Sequence, residues 1–340
     1  MKPILPILSP VHHYGGHFAR FIGAFLVLML VGSTPAAAQV RFELLGARAL
    51  GMAGAFVAVA DDATAFHWNP AGTVKGGPIS VTVGWDDLQF GDSKAPPFPG
   101  AASGQNLLTA VSGSPLGVSY GYMKLAQVVA VREDGTAVVE SLTIHHLGGT
   151  ISWPLFKGFS VGGTGKYLRG QAAIGETFAF TADEVLNQGL DFEGPKDGAF
   201  DVDAGFMAEF GPIKGGVTFK NLLQPTFVGD SGIAIQLKRL IRLGIAVIPT
   251  DGLTLAFDMD LDTADPLVGL RRMMAVGGET RLGSSFALRG GVRWSREGEW
   301  RPIGAVGASW RIYKGSWLDG YATYSRSDDR GWGIALRAGS

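Results

Sequence analysis

The chain has 340 residues, of which 46% are hydrophobic and only 17% charged, against about 25% charged in an ordinary soluble domain. A formal net charge of −1 leaves no basic footprint for nucleic acid. The absence of cysteine excludes a disulfide framework, a thiol nucleophile and a zinc–thiolate site.

The first segment reads as an export leader. Lys2 and Arg20 precede an apolar run from Phe21 to Val31, and Gly32 to Pro35 lead into Ala36-Ala37-Ala38. Charged, apolar and small-residue regions in that order make a secretory signal peptide over 1–38, cleaved after Ala38. The apolar run is shorter than the roughly 20 residues a membrane helix needs, and no longer run follows it. Residues 39–78 then form a segment of different character. Its centre, 46–72, is dominated by small residues that allow close packing against other backbone. Asp61 and Asp62 are placed to cap a short helix through Ala63 to Trp68, which Pro70 and Gly72 end.

Residues 79–340 read as repeated strands with side chains alternating between two faces. In 253–262, Leu253, Leu255, Phe257, Met259 and Leu261 share one face, and Thr254, Ala256, Asp258, Asp260 and Asp262 the other. Phe286 to Trp294, Asp201 to Phe210 and Ile241 to Val247 repeat the pattern. Alternation alone fits both a soluble sandwich, with the apolar face as core, and a membrane barrel, with the apolar face in lipid. Connection lengths favour the barrel. Fourteen strands are expected at 79–88, 104–111, 116–131, 137–153, 158–172, 199–210, 213–220, 238–249, 252–262, 270–282, 285–295, 300–312, 317–326 and 330–339. Short turns such as Gly211-Pro212 and Thr250-Asp251 alternate with connections of which 89–103, 173–198 and 221–237 are the longest. An even strand number with short turns on one side and long loops on the other is the pattern of an all-β, transmembrane antiparallel barrel. The abundant glycine helps such a sheet curve and close. Trp85, Trp153, Trp294, Trp310, Trp317 and Trp332 fall near strand ends or on apolar faces, as interfacial aromatics do.

On the polar faces, Arg242, Asp258, Asp260, Asp262, Glu279, Arg281, Arg289 and Arg293 are expected to form a mixed-charge lumen lining. A calcium site at the three aspartates is conceivable, but a polar lumen wall is the preferred reading. Nothing calls for a cofactor or a metal. Gly117-Val-Ser119-Tyr-Gly121 matches the nucleophile-elbow pattern, yet it sits inside a continuing strand alternation and lacks the required strand-to-helix turn. His145 and His146 are adjacent on one strand and point to opposite faces, so they cannot chelate one ion. His67 fits a packed or solvated residue better than a base. Lys166 lacks the glycine spacing and the following Ser/Thr of a phosphate loop.

Residues 46–72, GARALGMAGAFVAVADDATAFHWNPAG, resemble the N-terminal signature of PorV/PorQ-like outer-membrane proteins. These are similar to the long-chain fatty-acid transporter (FadL) superfamily, whose members carry a related Asn-Pro-Ala motif. Gly216 to Pro225 looks like an internal motif of the PorV-like group. The resemblance implies a fourteen-stranded barrel in the cell outer membrane, in contact with outer-membrane lipid, with an N-terminal plug in its lumen. Asp61, Asp62, Phe66, Trp68, Asn69, Pro70 and Ala71 are the plug positions it picks out. It implies a transporter of small hydrophobic molecules, with Phe56, Phe66 and Trp68 contributing an apolar pocket. The alternative is a secretion-associated or structural barrel that binds partner proteins at the cell surface; an enzyme is not expected. The C-terminus departs from the usual pattern, ending Arg337-Ala-Gly-Ser340 rather than on an aromatic residue.

Overall fold

A computed structural model describes residues 45–91, 101–178, 180–230, 232–262, 272–296, 301–326 and 329–339. The expected signal peptide lies outside the described residues. Sixteen strands occur among the described residues: β1 (Ser80–Phe90), β2 (Ala102–Gly113), β3 (Leu116–Val131), β4 (Ala137–Phe156), β5 (Phe159–Thr177), β6 (Lys196–Phe210), β7 (Ile213–Lys220), β8 (Thr226–Val228), β9 (Ala234–Gln236), β10 (Leu240–Thr250), β11 (Leu253–Asp260), β12 (Met273–Leu282), β13 (Phe286–Ser295), β14 (Ile303–Tyr313), β15 (Ser316–Ser325) and β16 (Arg330–Gly339). All but β8 and β9 join one closed antiparallel barrel of fourteen strands. β1 closes the ring on β16, from Ser80 opposite Gly339 to Gln89 opposite Arg330. Closure removes the unpaired edges that lipid does not tolerate. A two-layer soluble sandwich is thereby excluded.

The wall is inverted relative to a soluble protein. Leu255, Val276, Leu288, Val306, Ile334 and Leu336 are outward and exposed. Their strand neighbours Ala256, Gly277, Arg289, Ala305 and Ala335 are buried on the inward face. Period-two alternation in a closed sheet produces this along the middle of these strands. Val306 is the most exposed apolar residue of the outward face of β14 apart from the turn-end Tyr313, so Val306→Arg is expected to destabilise the barrel by up to about 4 kcal/mol in a bilayer. Urea unfolding in lipid vesicles measures it; an unchanged midpoint would place Val306 away from lipid.

Two of the long connections carry structure of their own. Residues 173–198 contain a helix, Ala182–Leu190, with Thr181 Oγ1 accepting from Glu184 N at its start. Its Val185 and Leu186 pack with Ala126, Val128 and Val139, and strand parity puts these three on the outward face of β3 and β4 beyond the apolar belt. Residues 221–237 contain the β8–β9 hairpin, whose Phe227 and Ile235 pack against inward-facing Met123, Leu142, Ile144 and Leu168. A Cβ on Gly170 would lie 2.3 Å from the Phe227 ring. The hairpin therefore folds into the barrel mouth on the side of the long connections.

Residues 45–76 occupy the interior. They form two short helices, α1 (Ala47–Gly51) and α2 (Ala65–Trp68), and a 3-10 helix over Pro70–Lys75. With the Ala182–Leu190 helix as α3, α1 packs against β13, β14 and β15, while the 3-10 helix lies against β4, β5 and β6 on the other side of the ring. The segment thus crosses the lumen from wall to wall. Nearly every residue from Leu45 to Thr73 is buried.

Candidate functional site

The site is the contact between this inner segment and the wall. Its closest contacts are made by glycine. A Cβ on Gly162 of β5 would lie 2.4 Å from the Pro70 carbonyl, and one on Gly205 of β6 would lie 2.1 Å from Asn69 Oδ1. On β7 and β10, Cβ atoms at Gly216 and Gly244 would lie 2.7 Å from Val57 O and 2.9 Å from Ala58 N. On β12 and β13, Gly277 and Gly291 would meet the Met52 backbone at 2.3 and 2.9 Å. Gly162 is paired with Gly205, Gly216 with Gly244 and Gly277 with Gly291 across neighbouring strands. Each pair is a trough into which the segment's backbone settles. The sequence reading took these glycines only as aids to curvature. The missed signal is that they fall on the inward parity of their strands.

Asn69 explains much of the Asn-Pro-Ala motif. Its Nδ2 donates to Val57 O at 3.0 Å and to Phe206 O at 3.1 Å, and its Oδ1 accepts from Ala71 N at 3.1 Å. One side chain therefore ties two parts of the segment to β6. Pro70 fixes the first residue of the 3-10 helix, and Ala71 O accepts from Ser160 Oγ on β5 at 3.1 Å. Asn69→Ala leaves three buried backbone groups without these partners, a loss of about 3 kcal/mol or more. Proteolysis of residues 45–76 in the folded barrel is expected to accelerate at least tenfold; equal rates in mutant and parent would contradict the clamp.

Charge fixes the opposite end. Arg48 Nε and Nη2 donate to the two Glu279 oxygens at 2.9 and 3.0 Å, and Arg48 Nη1 pairs with Asp61 and, at 3.1 Å, with Asp62. Glu279 also accepts from Arg289 Nε at 2.6 Å, and Arg337 pairs with Asp319 at 2.9 Å. The result is an alternating chain of charges from the segment into β12, β13, β15 and β16. Arg48, Asp319 and Arg337 were not among the expected lining residues. Asp62 and Asp61 do not cap α2. Asp62 Oδ1 instead accepts from Thr64 N and Oγ1 in a turn before the helix, and Asp61 is held by Arg48. The helix is four residues long, not six, because the backbone turns again at Asn69 to meet the wall. Burial raises the Asp62 carboxyl, but Arg48 and the Thr64 hydrogen bonds outweigh it and hold it below the usual carboxylate range. Its contribution is therefore present at neutral pH and is lost only as the pH falls through that lowered value.

The remaining expected residues fall as follows. Arg242 is inward, pairs with Asp260 at 2.5 Å and lies over the Trp68 ring at 5.8 Å. Asp258 accepts from Phe56 N and Val57 N, both at 2.8 Å. These two carboxylates are engaged by the segment and by arginine rather than turned toward a common point. Asp262 lies past the end of β11 and is only half-buried. Arg289 and Arg293 are buried and inward, whereas Arg281 is exposed at the short-turn rim. There it lines a polar cavity of about 560 Å³ with Arg48, Asp62, Glu279, Trp317 and Arg337. Trp317 thus faces the lumen mouth, with the guanidinium of Arg337 5.7 Å from its ring, and is not an interfacial tryptophan; Trp153, Trp310 and Trp332 are outward and exposed.

Phe56, Phe66 and Trp68 are buried at the centre of the segment. Phe56 meets Trp68 edge-on at 6.0 Å, and Phe66 meets His146 at 5.5 Å. His67 contacts Lys220, 3.0 Å from Nε2 to Nζ. A buried group of Lys166, Asp201 and Asp203 lies nearby, with pairs of 2.8 and 2.6 Å. Gly117–Gly121 lies wholly within β3, with no strand-to-helix turn, so the match has no elbow.

The family model described as "F plasmid transfer operon, TraF, protein" matches residues 147–260, about a third of the chain. No curated protein matches the sequence. Among solved structures, a CymD monoaromatic hydrocarbon channel superposes with a TM-score of 0.63 at 13% identity, covering 87% of this chain and 97% of its own. The Ralstonia pickettii toluene transporter TbuX gives 0.61 at 14% identity, covering 88% and 99%. A Pseudomonas aeruginosa FadL homologue gives 0.55 at 12% identity, covering 91% and 99%. This chain has the fold of these FadL-type barrels.

Proposed function

We propose that this chain is an outer-membrane barrel that conducts small hydrophobic molecules, and that residues 45–76 are a plug that must yield for passage. The architecture carries the reading. A closed barrel with an apolar exterior and a lumen filled from its own N-terminal side has the same fold as channels and transporters of monoaromatic hydrocarbons and a FadL homologue. Fold alone does not choose a substrate. The interior adds the chemistry: Phe56, Phe66 and Trp68 place aromatic surface at the centre of the segment, between the Arg48–Glu279 cluster and the Lys166–Asp203 cluster. A hydrophobic solute entering as the segment shifts would meet rings there, while ions would meet paired charge. The wall residues Arg242, Asp258, Glu279 and Arg289 act in this reading by holding the plug, Asp260 by holding Arg242, with Arg293 buried in the wall and Arg281 and Asp262 at the openings. Among the described residues no feature favours the partner-binding alternative.

The test is uptake into lipid vesicles containing the purified barrel, with toluene, a long-chain fatty acid and a sugar of similar mass as probes. Uptake of at least one apolar probe well above empty vesicles, with none of the sugar, is expected. Equal uptake by loaded and empty vesicles for both apolar probes would overturn the proposal.

A further inference from the structure

We propose that the outward face of β3–β6, next to the long connections, binds the phosphomonoester headgroup of an anionic membrane lipid. The inference rests on the membrane-barrel reading but not on transport. Three outward-facing rows cross these strands in register. The first, at the upper edge of the apolar belt, holds Tyr120, Leu147, Tyr167 and Phe200. The second holds Tyr122, His145, Arg169 and Gly198, and the third Lys124, Thr143, Gln171 and Lys196. Going from belt to rim, the wall changes from aliphatic to aromatic to cationic. That is the order a lipid presents from acyl chain to headgroup.

The face is also concave. Tyr120, His145, Tyr167, Arg169, Gln171 and Lys196 line a recess of about 340 Å³. Its parts are fixed: the Tyr120 hydroxyl and His145 Nδ1 are 2.9 Å apart, Tyr122 stacks on His145 at 4.8 Å and Tyr167 packs on Phe200 at 5.2 Å. The segment after α3 borders it, where Gln171 Nε2 donates to Gly194 O at 3.3 Å and Lys124 pairs with Asp191 at 3.0 Å. Asp197, next to Lys196, accepts from its neighbour's backbone at Gly198 N. Arg169 and Lys196 make no ion pair among the described residues. At this depth an outward cation costs only about 0–1 kcal/mol, so the two unpaired cations are tolerated there and remain open to an anion at the interface. A phosphate suits them: guanidinium binds it with two parallel hydrogen bonds, and the ammonium adds a point charge. Gly165 and Gly163 leave the wall below the recess open enough for a chain to lie on it, while the Tyr167 ring covers Gly198.

Native mass spectrometry of the detergent-purified barrel tests the site, with lipid A, phosphatidylcholine and inorganic phosphate as probes. The parent protein is expected to retain one lipid A. Retention should fall at least tenfold in R169A/K196A and persist in R169K/K196R, and inorganic phosphate should not displace the lipid. Equal retention by R169A/K196A and parent, equal retention of phosphatidylcholine, or displacement by inorganic phosphate would each overturn the proposal. Heat-dependent gel mobility reports that each variant is folded. Arg169→Gln, which shortens one exposed side chain, stands in should the double variant not fold. A parent barrel that is folded and detergent-dependent yet retains no lipid A would sink this site alone. A parent that is water-soluble without detergent would sink the membrane reading itself.

Discussion

Arg48→Ala is expected to free the plug and open the barrel to small polar solutes. Arg48 is the shared partner of Asp61, Asp62 and Glu279. Glu279 retains Arg289 after the substitution, but the two aspartates lose their cation. Removing one partner from a buried ionic group costs about 3–5 kcal/mol. The lower end applies here, because the adjoining cavity of about 560 Å³ is polar and admits water to the abandoned acids. A loss of about 3 kcal/mol corresponds to a shift of more than a hundredfold in the docked-to-undocked ratio. Leak of a small hydrophilic antibiotic into cells is the readout, and it should rise at least tenfold over the parent. Arg48→Lys keeps the charge but loses the two-pronged grip on Glu279 and should fall between them. Parent-like leak in Arg48→Ala would mean that the cluster does not hold the segment in place.

Filling the glycine troughs should have the largest effect of all. In Gly162→Val/Gly277→Val each new side chain meets plug backbone, at Pro70 and at the Met52 carbonyl. Backbone cannot swing aside as a flexible side chain can, and overpacking of this kind costs about 1–3 kcal/mol even when neighbours relax. The segment then has no seat on either side of the ring. Valine suits a strand, so the barrel itself should still close. The expected phenotype is an assembled, heat-modifiable barrel whose residues 45–76 are cut by protease at Arg48. A barrel that assembles and keeps the segment protected would show that the troughs are not its seat.

The strand pattern was open to sequence reasoning because lipid and lumen impose opposite demands on alternate residues. β3, β7 and β16 begin and end where alternation and turn residues placed them, and fourteen strands close the ring as expected. Errors collect where that contrast fades. Past the membrane belt both faces of β4 and β5 meet protein or water, so these strands run to Phe156 and Thr177 without a sequence boundary. α3 and the β8–β9 hairpin are short elements held by packing on the barrel, with Val139 and Gly170 as their seats; local pattern carries little of that. Within the inner segment, composition revealed a closely packed strip, and the motif marked Asn69 to Ala71. Neither could reveal that Asn69 reaches Phe206, 137 residues away, or that Arg48 reaches Glu279. Such pairings follow only once parity and register put particular inward positions opposite one another.

The most direct test of the central claim is to tether the plug and follow uptake. The chain has no cysteine, so Ala71→Cys/Ser160→Cys introduces a single pair where Ser160 Oγ now meets Ala71 O at 3.1 Å. In vesicles, oxidation of this pair is predicted to abolish uptake of the apolar probe that the parent conducts, and a reductant to restore it. Uptake that continues unchanged with the disulfide fully formed would contradict a plug that must yield for passage.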